Sequence, residues 1–444
     1  MKKHRYAIAQ WTLTALLLTC YLDGCSNLPR RPQGSSHDHA YIRYWRAPGT
    51  DNRLRLAVKD NIDMKGVVTS AGSQYVAETS PPASTDAECL AIARQRNVRI
   101  VGKTNLSEFA VAPSGLNEYY GTPKNPFSNW HKFIPGGSSS GSAVAVADGS
   151  ADVAFGTDTA GSIRVPAACC GVVGLKTTFG LISIKGVFPI EPKHLDTVGP
   201  MGKDVAHVVQ GMDLLQNGFA ARYQGAVAAQ PSARKIRIGR LYLSGTDSRI
   251  DKAVDNALAQ GRFQVVTLDQ SFKKKWDLAK TDGNTVAAAG AWISDRKYSN
   301  KVGVRFRTMA AIVLGRVLYP AKYRDALRRR ASWQHALDKI FEKVDFIALP
   351  TLQGLPPTIP FIGKMALLEA RVLILQNTVA VNLAGNPALA IPIPIHDKHV
   401  PVTSLQLVGP RMSEAALLNV GRLIEAERPQ LDRGVNAPKS AAAQ

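Results

Sequence analysis

The stretch Ile134–Ala167, IPGGSSSGSAVAVADGSADVAFGTDTAGSIRVPA, holds two Gly/Ser-rich turns around one short apolar segment. Gly136 and Gly137 permit positive φ or close backbone approach. Ser138, Ser139 and Ser140 then bring hydroxyls to the start of the helix-like run Ala143–Ala147. Asp152–Thr157 (DVAFGT) reads as a short buried strand. Asp158-Thr159-Ala160-Gly161-Ser162 turns it into a second helix that starts within Ile163–Ala168. A helix start leaves N–H groups unpaired and carries partial positive charge, so Ser162 is expected on a tight turn whose amides point one way. A hydroxyl beside such donors suits acyl transfer, which must hold a tetrahedral oxyanion.

A serine hydroxyl needs a base. Leu54–Asp63, LRLAVKDNID, places Lys59 at the end of an apolar strand-like run that would carry it into the interior. Desolvation lowers a lysine pKa, so a neutral Lys59 can take the Ser162 proton, with Ser138 as the natural relay. Each feature alone has a bland reading, a flexible loop for the Gly/Ser run and a solvated amine for the lysine. A rival also exists: Gly137–Gly141 reads G-S-S-S-G and fits the nucleophile-elbow pattern with Ser139 as nucleophile. That motif should follow a strand, whereas SNWHKFIP before it is loop-like, and none of His194, His207, His335, His396 and His399 occupies a convincing partner position.

Nine short motifs resemble the amidase signature family of serine hydrolases. They are VKDNID around Lys59, GKTNLSEFA at Gly102–Ala110, YGTPKNP at Tyr120–Pro126, PGGSSSGSA at Pro135–Ala143, GTDTAGSIRVPA at Gly156–Ala167, GLKTT at Gly174–Thr178, LPTL at Leu349–Leu352, NLAGNPALAIP at Asn382–Pro392 and LQLVGP at Leu405–Pro410. They occur in the family's order from about Leu54 to about Glu427, with Ser138 and Ser162 separated by 24 positions (162 − 138) as in its pattern. The resemblance implies Ser162 as nucleophile, Ser138 as a bridging serine held by a cis peptide, and Lys59 as base and later proton donor. It also implies an oxyanion hole of the Thr159, Ala160, Gly161 and Ser162 amides, with Asp158 and Arg164 holding the turn. The sequence departs from the family at Ala160, where many members have Gly, and at Thr177, where many have Pro.

The rest of the 444 residues frames this core. Lys2, Lys3 and Arg5 precede the apolar run Ala7–Tyr21, as in a signal peptide too short to span a bilayer comfortably. Leu22-Asp23-Gly24-Cys25-Ser26 resembles the lipobox of bacterial lipoproteins, which implies cleavage after Gly24, a lipid on Cys25 and an enzyme tethered outside the cytoplasm, in the periplasm. An ordinary secretory signal or an uncleaved anchor is the alternative. The expected organisation is a signal peptide at 1–24, a flexible tether at 25–40, an amidase signature domain at 41–430 and a polar tail at 431–444.

From Leu54 strands and helices alternate. Thr85-Asp86-Ala87-Glu88 has the form of a capping box. Strands are expected at Val98–Gly102, Lys235–Leu241, Phe263–Leu268, Asp345–Pro350 and Pro387–Ile393, with a helical region at Ser271–Lys343 and a closing helix at Ser413–Glu427. Such alternation predicts an α/β fold, a mixed sheet covered by helices on both faces, which the family resemblance also implies.

The formal charge is +21, and removal of residues 1–24, with Lys2, Lys3, Arg5 and Asp23, leaves 21 − 2 = +19. That charge suits an anionic neighbourhood. A tether outside the cytoplasm disfavours nucleic acid and favours anionic lipid or lipopolysaccharide, with plain solvation as the simpler account. Cys169 and Cys170 read as core residues, and no spacing suggests zinc, a phosphate loop or any cofactor. The expected function is hydrolysis of a small carboxamide to carboxylate and ammonia or amine. Rivals are the glutamine-amidase subunit of a tRNA-dependent amidotransferase, an esterase with the same triad, and a non-enzymatic envelope lipoprotein that kept the fold.

Overall fold

Eleven short, mostly apolar segments pair into one mixed sheet in a computed structural model that describes residues 37–46, 51–128, 132–360 and 365–427. In chain order they are β1 (Tyr41–Tyr44), β2 (Arg55–Lys59), β3 (Arg99–Thr104), β4 (Val153–Asp158), β5 (Val173–Lys176), β6 (Thr197–Gly202), β7 (Arg237–Arg240), β8 (Gln264–Thr267), β9 (Phe346–Pro350), β10 (Ala388–Pro394) and β11 (Val402–Val408). Their spatial order is β1-β3-β2-β4-β6-β5-β10-β11-β9-β7-β8. Pairing is parallel for β3-β2-β4 and for β9-β7-β8, and antiparallel between those blocks.

Strand alternation sends the side chains of β2 and β4 into two different apolar clusters. Leu56, Val58, Val153 and Phe155 enter one cluster, packed with residues of the helices Val205–Leu215, Ser248–Gln260 and Glu414–Ala426. Ala57 and Ala154 enter another, with residues of the helices Ser140–Ala147 and Arg164–Cys170. Lys59 shares the parity of Ala57, so the strand delivers it beneath those two short helices. The small residues of Ser140–Ala147 serve close packing, since a Cβ at Gly141 would collide with the Ala40 carbonyl and the Asn105 backbone.

Helices Gln270–Asp295, Phe306–Leu318 and Ala321–Phe341 fill the expected helical region, and Glu414–Ala426 closes the described chain. The capping box is not formed. Ala87 starts a short turn at Glu88–Leu90 without a side-chain cap, and Asp86 instead accepts from the Lys65 amide and Arg94. Four strands, β1, β5, β6 and β11, stand outside the sequence expectation. β6 (TVGPMG) hides behind its glycines and proline, yet Pro200 fits because β5 pairs with β6 only at Met201 and Gly202. β11 hides behind Thr403, Ser404 and Gln406, polar residues that are nevertheless buried.

The expected signal peptide, Cys25, most of the tether and the tail from 431 lie outside the described residues. The tether's last residues, His37–Ala40, form a turn, and Ala40 is fully buried with its carbonyl accepting the Asn105 amide at 2.9 Å. Among the described residues no helix is long and apolar enough to cross a membrane.

Candidate active site

Lys59 ends β2 with no exposed surface. Its Nζ donates to Ser138 Oγ and to Thr157 Oγ1, both at 2.8 Å, and Asn61 Nδ2 donates to the same Thr157 oxygen at 3.0 Å. Burial pushes the Lys59 amine down to about 7, against the pull of the Asp158 and Asp196 carboxylates. Two other lysines are equally buried but differently engaged. Lys103 Nζ lies 3.0 Å from Asp60, and Lys176 Nζ donates to the carbonyls of Thr177 and Asn386, both at 2.9 Å. Of the three, only Lys59 touches a serine hydroxyl.

Ser138 sits where the chain bends sharply. Gly136 has φ +72°, the Gly137–Ser138 peptide is cis as the resemblance implied, and the Gly137 amide donates to Pro113 O at 2.7 Å. The next residue, Ser139, is fully buried. Its amide donates to Ser162 O at 3.1 Å and its hydroxyl to Thr157 O at 3.3 Å. Those contacts join the Ser138 loop to the Ser162 turn and engage both the amide and the hydroxyl of Ser139. The elbow also lacks its strand, since Phe133 makes only a single bridge, to Thr358. Nor do His194 and His207 approach Ser139; they lie against Arg330 and Asp204.

Ser162 is half-buried, and its hydroxyl has no hydrogen-bond partner among the described residues. The structure therefore closes the Lys59–Ser138 contact and leaves the Ser162 hydroxyl open. Of the four amides expected to face an oxyanion, that of Gly161 donates to Asp158 Oδ1 at 2.8 Å. Those of Thr159, Ala160 and Ser162 have no acceptor among the described residues. Gly161 has φ +135°, and a Cβ there would collide with the Thr378 side chain, which itself donates to Ala160 O at 2.5 Å.

Asp158 and Arg164 brace the turn from beneath, both fully buried and paired at 2.9 Å. Arg164 also donates to Thr378 O at 3.0 Å, Gln406 Oε1 at 2.6 Å and Asn382 Oδ1 at 2.5 Å. Burial works against the Asp158 carboxylate, but Arg164, Lys176 and the Asn382 amide together outweigh it and hold the group down at about 2. Thr159 Oγ1 donates to Asp196 Oδ1 at 2.7 Å, and that carboxylate also takes the amides of Ile190 and Glu191. Behind the turn, Cys170 Sγ donates to Pro135 O at 3.3 Å, and burial pushes the Cys169 thiol up to about 12.

Thr157, Asn61, Asp196, Thr378, Asn382 and Gln406 thus belong to the site although sequence reasoning gave none of them a role. Asn61, Thr157, Asn382 and Gln406 lie inside quoted motifs, so their positions were visible and their contacts with Lys59, with each other and with Arg164 were not. Among the described residues no three His, Cys, Asp or Glu side chains are grouped so as to hold a metal ion.

The mixed α/β sheet thus carries a buried lysine–serine pair beside a turn with three amides that lack acceptors among the described residues. The chain belongs to the Amidase family, whose sequence model matches residues 54–418. It is 32% identical to a glutamyl-tRNA(Gln) amidotransferase subunit of Halobacterium salinarum, over 85% of this chain and 96% of that one. It is 34% identical to the 2-amino-5-chloromuconic acid deaminase of Comamonas testosteroni, over 84% of this chain and 81% of that one. Among solved structures, the corresponding glutamyl-tRNA(Gln) amidotransferase subunit from Thermotoga maritima is similar with a TM-score of 0.73 over 88% of each chain, at 24% identity, which speaks to the fold alone.

Proposed function

We propose that this chain is an amidase that hydrolyses a small carboxamide through an acyl-enzyme on Ser162. The observation that carries this reading is the fully buried Lys59 amine, 2.8 Å from Ser138 Oγ and bonded only to hydroxyls. The neutral amine takes the Ser138 proton while Ser138 takes that of Ser162. Ser162 Oγ then attacks the carbonyl carbon, and negative charge moves to the carbonyl oxygen, facing the amides of Thr159, Ala160 and Ser162. As the C–N bond breaks, the relay returns the proton to the leaving nitrogen, and water cleaves the resulting ester by the same path. The side chains assigned here complete this cycle without a cofactor.

Ser162→Ala should abolish ammonia release from a panel of small aliphatic and aromatic amides without changing the melting temperature. A fluorophosphonate should label the parent and not the variant. Retained turnover, or labelling at Ser139, rules the assignment out. Matched amide and ester substrates separate an amidase from an esterase.

A second reading is favoured by the names of relatives: the glutamine-amidase component of a tRNA-dependent amidotransferase, releasing ammonia from glutamine in a complex with protein partners. Glutamine hydrolysis that requires those partners supports it, and hydrolysis of simple amides by the chain alone argues against it. A lipid on Cys25 outside the cytoplasm forms part of the first reading. Mass analysis of the N-terminal peptide, with Cys25→Ser as blank, tests it.

A further inference from the structure

We propose that the outer face of the helix Phe306–Leu318 docks on an anionic lipid bilayer. The helix buries Thr308, Ile312 and Gly315, and Gly315 lies so close to Ala288 of the helix Gln270–Asp295 that a Cβ would strike the Ala288 carbonyl. At 3.6 residues per turn the side opposite that contact carries Phe306, Val313 and Val317, with Leu314 beside them. Their exposures are 56%, 42%, 73% and 55%, and Val302 just before the helix is 94% exposed. A surface helix normally turns a polar face outward. This one is apolar on both sides.

Charge identifies the occupant. The helix contains no acidic residue, and residues 296–330 contain eleven Lys and Arg against one acid, Asp325, which is paired with Arg328 at 3.0 Å. Arg307 is paired with Glu118 and Glu369, and Arg329 with Asp282, from other elements, so the outward charge rests on the remaining cations. Lys301, Arg316 and Lys322 are exposed around the apolar stripe. Apolar side chains rimmed by cations fit the boundary between acyl chains and anionic headgroups, where burial of the stripe and attraction of the rim add. A second copy fits poorly, because a twofold contact would press one cationic rim against the other.

This inference does not depend on the hydrolytic reading, and its test reads position rather than activity. Full-length protein with Cys20→Ser and Cys25→Ser excludes any lipid on Cys25 and leaves only buried cysteines among the described residues. Val317→Cys in that background carries an environment-sensitive nitrobenzoxadiazole label, and Ser232→Cys, exposed elsewhere, is the control. Phosphatidylcholine vesicles containing phosphatidylglycerol should shift the Val317 label to the blue and raise its emission several-fold, less so in high salt. Pure phosphatidylcholine should do so weakly, and the Ser232 label should not respond. Phe306→Ser with Val313→Ser should lower partitioning about tenfold at unchanged melting temperature; the N-terminal segment is common to all variants and cancels. A Val317 label that stays in water with phosphatidylglycerol vesicles, or responds no more than the Ser232 label, overturns the proposal. So does a shift that follows protein concentration without lipid, which would give the face to a second copy, or a shift produced only by another protein.

Discussion

Lys59 and Lys176 give a pH signature at the scale of single residues. Burial pushes both down to about 7 from an ordinary 10.5. Above about pH 7 the unfolded chain therefore binds more protons than the folded one, and stability rises with pH toward 10.5. Glu191, pushed up to about 7 by burial and then by Asp196, acts in the opposite sense between its ordinary 4.5 and about 7, below the lysine window. The melting temperature is expected to climb above pH 7. Lys59→Met should lessen the climb, leaving the part due to Lys176, raise the melting temperature at pH 7 and abolish hydrolysis. The parent's rate should rise through a midpoint near pH 7 as the amine loses its proton, and a flat profile there would exclude Lys59 as base.

At the scale of elements, the Asp158–Ser162 turn owes its shape to one glycine and one buried ion pair. Gly161→Ala puts a Cβ into Thr378 at a φ that side chains rarely adopt. It should lower kcat by about a hundredfold, since small misplacements of reacting groups have effects of that size, with the protein still folded by circular dichroism. Arg164→Gln leaves the Asp158 carboxylate buried without its cation and should cost about 3–5 kcal/mol in denaturant unfolding. The turn, its two helices, β2 and β4 were legible because Gly/Ser punctuation brackets short apolar runs. β6 and β11 were not, because their signals are local while the reasons they are strands are not. Pro200 is tolerated where a neighbour stops short, and the buried Gln406 amide finds its partners, Arg164 and the Asn377 carbonyl, on other elements. The meeting of Lys59 with Ser138 was legible from ordered motifs. The brace of Asn382, Gln406 and Thr378 required the sheet order, which sets residues more than two hundred positions downstream beneath the turn.

Across the whole molecule, the sheet ends at β8, whose four residues are all exposed, with Val265 at 46% and Val266 at 50%. An exposed apolar edge invites pairing with another chain. Val266→Lys should leave the melting temperature nearly unchanged and reduce light scattering during heating, and an unchanged aggregation rate would show that the edge is already protected. At the other extreme of exposure are Cys169 and Cys170, sealed in the helix that follows Ser162. Alkylating reagents reach those thiols only when that helix lifts away, so the speed at which iodoacetamide modifies them is a clock for the opening of the catalytic segment, readable by mass without any substrate in hand.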